Sequence, residues 1–210
     1  MYLETPDHKA IEILRGAISY RQGSRLAYLA SIVPVGGTIV EIGSFCGKSA
    51  CFMAAAVKHA GTKVPVHCVD LWYTGGKTQQ ANHSYKKFKR IFDANVVTFQ
   101  LENIVVPHMV ESTAFAKSWK TPIDLLFIDA GHSYTACLAD YQAWYKFIKP
   151  GGWIAFHDYV PRFHGVMKVV DKHVIPSNLF ENVHITHDMV VFKDKTEAPN
   201  TMWSAQRRIK

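Results

Sequence analysis

Four acidic or acid-plus-polar positions stand where apolar runs end: Asp70, Glu111-Ser112, Asp129 and His157-Asp158. Asp129 closes the run Ile123 to Ile128, and His132 follows it three residues later, ahead of Ser133 and Tyr134. A carboxylate at a strand end suits a hard cation, and imidazole is a base that works near neutral pH. Asp158 supplies a second acid one strand further on. Two acids from adjacent strand ends can hold Mg²⁺ and leave positions for water and substrate. The plainer alternative makes Asp129 a helix cap and His157 a satisfied core histidine. Strand alternation places His157 on the opposite face from Asp158, and an inward His157 would favour a softer transition metal.

A second group of residues suits a nucleotide-type ligand. The run Thr38-Ile39-Val40-Glu41-Ile42-Gly43-Ser44-Phe45-Cys46-Gly47-Lys48-Ser49 reads as a buried strand with an acidic end, a glycine turn and a helix start. Ile39, Val40 and Ile42 are the β-branched residues of a strand covered on both faces. Gly43 and Gly47 permit a tight turn and let a ligand approach where a Cβ would intrude. Ser49 to His59 is rich in alanine, and the helix it predicts would aim its N-terminal amides at a bound group. Asp70, at the end of the next strand, can accept bonds from both hydroxyls of a ribose. Each motif alone has an ordinary reading, as a βα turn or a turn cap.

These residues need elements that bring them to one rim. Helix is predicted over 7–33, interrupted near Gly23-Ser24, with Ile11, Leu14 and Ile18 on one face and Leu26, Leu29 and Ile32 on a second segment. Strands are predicted at 38–42, 64–69, 104–109, 123–128 and 153–156. Helices fall at 48–59, at 84–94, after Ser112, at 134–148 and at 164–174, and Pro150-Gly151-Gly152 stops the fourth. Two last strands, near 180–186 and 189–193, pair around Thr186-His187-Asp188. The stretch from Leu71 to His83 is long and polar, as a lid over a site would be. The alternation implies an α/β, Rossmann-like doubly wound fold. Its seven-stranded sheet is mainly parallel, with a C-terminal antiparallel strand pair. Such sheets bind ligands beyond the C-terminal ends of their strands. The chain divides into a helical cap (1–35), a ligand-binding domain (36–193) and a polar tail (194–210).

Composition narrows the partners. With 210 residues, 48% hydrophobic and 20% charged, the chain has the make-up of one soluble globular domain. No apolar run is long enough to span a bilayer, and Met1 to Arg15 lacks a signal-peptide core. Cys46, Cys51, Cys68 and Cys137 form no CxxC pair, so a reduced, cytoplasmic setting is expected. The net charge of +7 raises a nucleic-acid partner. Yet Lys86, Lys87, Lys89 and Arg90 alternate with Tyr85, Phe88, Ile91 and Phe92, as on the wet face of an amphipathic helix. Arg207, Arg208 and Lys210 sit in the polar tail. A small-molecule partner is therefore expected ahead of nucleic acid or membrane, and a homo-oligomer is left open.

Together these motifs resemble the class I S-adenosylmethionine-dependent methyltransferases over about residues 36–193. Glu41-Ile42-Gly43-Ser44-Phe45-Cys46-Gly47-Lys48-Ser49 resembles the E-x-G-x-x-x-G-x-S signature of catechol-type O-methyltransferases. Ile123 through Tyr134, with Lys149-Pro150-Gly151-Gly152 and His157-Asp158, is similar to a bacterial branch. That branch holds the macrocin- and mycinamicin-type sugar O-methyltransferases and the cephalosporin hydroxylase-like proteins. The resemblance implies that Gly43, Ser44, Gly47 and Ser49 contact the methionine part of S-adenosyl-L-methionine, with Glu41 supporting the turn. It implies that Asp70 binds ribose, that Leu71 and Trp72 flank adenine, and that Ser112 reaches the adenine edge. Asp129 would border the cofactor and, with Asp158, hold a divalent metal, Mg²⁺ first. His132 would be the general base, where catechol enzymes have lysine. Phe45 replaces the usual middle glycine, and Tyr159 stands where catechol-type enzymes have a metal-binding asparagine.

The expected reaction is metal-assisted O-methylation of a small-molecule hydroxyl, on a sugar, diol or catechol-like acceptor. Three other readings compete. A nucleic-acid methyltransferase would carry an Asn/Asp-Pro-Pro-Tyr type turn, whereas 157–160 reads His-Asp-Tyr-Val. A nicotinamide-dependent oxidoreductase would carry G-x-G-x-x-G, which this chain lacks. A non-catalytic S-adenosylmethionine-binding module would keep the glycine turn and lose turnover.

Overall fold

The computed structural model describes residues 1–72, 79–186 and 188–195, with side chains at all of these but 79–86 and 182–184. Seven strands form one sheet: β1 (Ile39–Ile42), β2 (Val66–Asp70), β3 (Val105–Met109), β4 (Ile123–Ile128), β5 (Ile148–Phe156), β6 (Phe180–Thr186) and β7 (Met189–Asp194). Their order is β3-β2-β1-β4-β5-β7-β6. The first five run parallel, and β7 is antiparallel to both β5 and β6. Every residue of β1 and β4 is buried, because these central strands are covered on both faces. The reversal of strand order between β1 and β4 opens a crevice at their C-terminal ends.

Helices α1 (His8–Glu12), α2 (Tyr20–Ser31), α3 (Lys48–His59) and α4 (Gln79–Thr98) cover one face, with Leu26, Phe52 and Phe92 in its core. Helices α5 (Ser112–Ala116), α6 (Tyr134–Trp144) and α7 (His164–Val169) cover the other, around Trp144, Phe156 and Val166. Helix α7 continues as a π-helical turn over Val170–Val174. On α4, Phe92 is buried while Lys87 and Arg90 are exposed, so this part of the basic cluster is a solvated face. Among the described residues no helix is long and apolar enough to cross a membrane. All four cysteines are buried and unpaired.

Three boundaries differ from the sequence reading. Helix α2 runs straight through Gly23-Ser24 and begins instead at a capping box. The Ser19 hydroxyl accepts from the Gln22 amide, and the Gln22 side chain accepts from the Ser19 amide at 2.7 Å, a device worth about 1 kcal/mol. Gly23 serves packing rather than a break, since a Cβ there would lie 2.5 Å from the Phe52 ring. Helix α6 stops at Trp144, and Pro150-Gly151-Gly152 lies inside β5. There the pairing slips from Ile123 opposite Ile148 to Leu125 opposite Trp153, a bulge that absorbs the proline and Gly151 at φ +73°. Finally, α4 starts at Gln79, so the second half of the supposed lid is helix. The stretch 73–78, His187 and the tail from 196 lie outside the described residues, and with them the lid reading, the turn residue and the Arg207-Arg208-Lys210 cluster.

Candidate active site

The strand ends are brought together by the sheet's own hydrogen bonds. The Asp129 amide donates to Ile42 O at 2.8 Å and the His157 amide to Ile128 O at 3.1 Å, which extends the register past β1 and β4. Gly43 therefore lies against the Asp129 backbone, where a Cβ would sit 2.3 Å from the Asp129 carbonyl oxygen. With φ at +91°, the position excludes other side chains on two counts. A cavity of about 990 Å³ opens above this rim. Its wall includes Gly43, Ser44, Asp70, Ser112, Asp129 and Asp158. Ser49, Leu71 and His132 also border it, and the Arg15–Ile18 segment between α1 and α2 closes one side.

The glycine turn is supported from below and from the side. Glu41 is fully buried, one carboxylate oxygen accepts from the Ser49 hydroxyl, and Gly47 adopts φ +81° against the Phe92 ring. Burial pushes the Glu41 carboxyl up to about 7, against the pull of the Ser49 hydrogen bond and of the nearby Ser44 hydroxyl. Asp70 accepts from the Phe45 amide at 2.8 Å and from the Trp72 amide at 2.7 Å. It thereby ties the first and second strand-to-helix turns together. Phe45 stands in the left-handed region at φ +45°, where the usual glycine would be unstrained.

Two expected cofactor contacts are placed elsewhere: Gly47, which packs against the Phe92 ring, is absent from the cavity wall, and so is Trp72. Trp72 is 3% exposed, packs its indole on Phe92 at 4.8 Å, and donates from Nε1 to Phe45 O at 2.6 Å. It is not part of the cavity wall, so of the pair expected at adenine only Leu71 borders the cavity. Ser112 does border it, and its hydroxyl accepts from Trp144 Nε1 at 2.8 Å. Beside Ser112, the buried Asp140 carboxyl is pushed up to about 6 by burial and, less, by Glu111, against the pull of the Ser112 hydroxyl. Asp140 lies mid-helix, away from any strand end, and so escaped the sequence reading.

The acid group forms a tight constellation. His132 Nε2 lies 2.6 Å from Asp158 Oδ2, and its ring stacks on Phe163 with centroids 4.4 Å apart. Donor atoms of Asp129, His132 and Asp158 all fall within 4.8 Å of one another. His157 does not face away as alternation implied. Its Nδ1 lies 3.0 Å from Asp129 and 3.3 Å from Asp158, between the two carboxylates and aligned with neither. The reason is local: Asp158 leaves the strand at φ +59°, which turns its side chain back beside its neighbour. Behind the ring, Nε2 lies 3.7 Å from Asp188, a residue held by Gln22 Nε2. Burial alone would lower His157, but the Asp129 and Asp158 carboxylates raise it to about 10. Burial pushes Asp158 up, yet His157 and His132 outweigh that and hold it below the usual range; at Asp129 the effect of burial wins over the pull of His157 and His132, and its carboxyl is raised. Tyr159 points elsewhere, its hydroxyl donating to Asp171 at 2.8 Å.

Comparisons with known proteins bear on the fold and on the class. A methyltransferase-domain family profile matches residues 40–159, more than half of the chain. An uncharacterized protein of Acanthamoeba polyphaga mimivirus is 46% identical over 37 residues, which is 18% of this chain and 17% of that protein. Among solved structures, the O-methyltransferase NovP superposes with a TM-score of 0.67 at 16% identity, over 84% of this chain and 81% of that one. The O-methyltransferase from Bacillus cereus, in complex with SAH, gives 0.65 at 17% identity, over 89% and 86%. CalS11, a TDP-rhamnose 3′-O-methyltransferase of calicheamicin biosynthesis, gives 0.59 at 17%, over 81% and 76%. At such identities the structural likeness speaks for the fold, and the family match speaks for the class. The chain belongs to the methyltransferase-domain family, and it is a class I S-adenosylmethionine-dependent methyltransferase.

Proposed function

We propose that this methyltransferase transfers its methyl group to a hydroxyl of a small molecule, with His132 as base and a divalent cation at Asp129 and Asp158. The observation that supports this is the shared cavity. The glycine turn of β1 and the Asp129–His132–Asp158 group border the same space, so a cofactor on one side faces an acid–base group on the other. S-adenosylmethionine, when bound, supplies an electrophilic methyl group. Gly43, Ser44 and Ser49 would bind its amino-acid end, Asp70 its ribose, and Leu71 and Ser112 its adenine end. The protein's main contribution is positioning, which holds the acceptor oxygen in line and excludes water.

The residues present fit a divalent cation. Asp129 and Asp158 offer two carboxylates in one cluster, with His132 beside them, and water and acceptor oxygens would complete the shell. A bound cation would lower the pKa of an acceptor hydroxyl. His132, oriented by Asp158, would then take the proton on its other ring nitrogen. Tyr159 supplies no ligand, so water and acceptor oxygens would take the positions that Asp129 and Asp158 leave open.

The test is a transfer assay with methyl-labelled S-adenosylmethionine against vicinal diols, catechols and sugars, with RNA as the rival acceptor. Label on an oxygen of a small acceptor, lost with a chelator and restored by Mg²⁺ or Mn²⁺, is the expected result. Label on RNA alone would overturn the reading.

A further inference from the structure

Lys48 is the first residue of α3, directly after the Gly47 turn, and it borders the cavity. Its position is poor for a cation in three ways. The residue is only 9% exposed. It stands at the positive end of a twelve-residue helix, where anions are favoured and cations are not. It makes no hydrogen bond or ion pair among the described residues, and the exposed Glu12 attracts it only from a distance. Burial accordingly lowers its pKa.

Packing prevents the side chain from escaping to solvent. A Cβ on Gly16 would lie 2.8 Å from Lys48 Cβ and 3.0 Å from its Cδ, so the stem runs beneath the segment that closes the cavity. Arg15 of that segment also borders the cavity, with its guanidinium 4.8 Å from the Phe88 ring and 5.6 Å from the Phe45 ring. Lys48 and Arg15 border the cavity beside the glycine turn, as does the Asp70 carboxylate at the end of β2, while Asp129, Asp158, His157 and Arg162 border it on the β4–β5 side. An unpaired cation at a helix N-terminus is a deficiency that an anion would repair.

We propose that Lys48 is the counter-ion of the α-carboxylate of the cofactor, with the first amides of α3 as its co-donors. The inference rests on the S-adenosylmethionine reading and assigns the acceptor's own charges no role at Lys48. It also explains why the position beside the glycine turn carries a charge that the folded chain itself does not use.

The experiment is calorimetric titration of wild type, Lys48→Met and Lys48→Arg with S-adenosylhomocysteine and with its decarboxylated analogue. Lys48→Met should weaken S-adenosylhomocysteine by roughly 10- to 100-fold, as expected for a charge-assisted hydrogen bond. It should leave the decarboxylated analogue within about twofold, and Lys48→Arg should recover part of the loss. Ligand-free Lys48→Met should melt no lower than wild type, because an unpaired charge at the positive end of a helix is removed. Equal weakening of both ligands would make Lys48 a structural residue and overturn the proposal. Unchanged S-adenosylhomocysteine binding in Lys48→Met would assign the ammonium to another anion and overturn it too. Failure of wild type to bind S-adenosylhomocysteine at all would instead defeat the underlying cofactor reading.

Discussion

Replacing Glu41 by glutamine should convert a pH-dependent weakness into a constant. The Glu41 carboxyl is fully buried and titrates at about 7, against an ordinary value of 4.5. The unfolded chain releases this proton near the ordinary value, whereas the folded chain keeps it until about 7. Between those values the native state binds more protons, so stability falls as pH rises through the window. The contribution is complete below the unfolded value and gone above the folded one. The separation is worth about 3 kcal/mol, at about 1.4 kcal/mol per unit. A glutamine side chain here mimics the protonated acid in shape and can keep a bond to Ser49, but it does not titrate. The Glu41→Gln variant and wild type should therefore be of similar stability near pH 4.5, within about 1 kcal/mol. By about pH 8 the variant should be the more stable by about 3 kcal/mol, with the difference growing steadily between. Urea unfolding of both ligand-free proteins across this range measures it, because other titrating groups cancel in the difference. A difference that does not change with pH would refute the assignment of a proton to Glu41.

Other consequences follow from the same geometry. Gly43→Ala should destabilise by at least about 2 kcal/mol, because it combines a left-handed φ with a Cβ 2.3 Å from the Asp129 carbonyl; chemical denaturation reads the loss. Asp124 accepts from the Thr38 amide at 2.8 Å and pairs with Lys149 at 2.8 Å, on the side of the sheet opposite the cavity. Asp124→Ala should therefore cost about 2 kcal/mol of stability while native protein binds S-adenosylhomocysteine unchanged. His132→Gln should lower methyl transfer by about 10²- to 10⁴-fold with cofactor affinity preserved, which separates a base from a cofactor contact. Asp158→Asn should impair transfer and weaken metal binding together, since one carboxylate serves both the His132 ring and the cation cluster.

Much of this was legible because the parallel sheet turns sequence order into geometry. The apolar run Ile123 to Ile128 is β4 residue for residue, so Asp129 had to stand at the rim, and Ile39 to Ile42 fixed Gly43 in the same way. His132 was legible as a spacing from Asp129. Residues set by tertiary packing were not. Gly23 signals a break in sequence, but it exists to admit the Phe52 ring. Pro150-Gly151-Gly152 signals a helix stop, but a bulge carries it inside β5. His157 turned inward because Asp158 took a left-handed φ, which period-two alternation cannot anticipate. Trp72 looked like an adenine platform, yet its ring found a hydrophobic partner in Phe92 and a hydrogen bond to Phe45 O. Asp140 and Asp188 lie in α6 and in the β6–β7 turn, where nothing local marks them. The Ser19-x-x-Gln22 box was readable and would have placed the start of α2 correctly.

The most direct test of the account is a calorimetric titration of wild-type protein with S-adenosylhomocysteine, followed by Mn²⁺. Wild type should bind one equivalent of S-adenosylhomocysteine and then show a metal heat. An Asp129→Ala, Asp158→Ala double variant, folded as judged by circular dichroism, should lose the metal heat. If wild type shows no heat and no thermal protection with S-adenosylhomocysteine, the cavity beside Gly43 is not a cofactor site and the central claim fails.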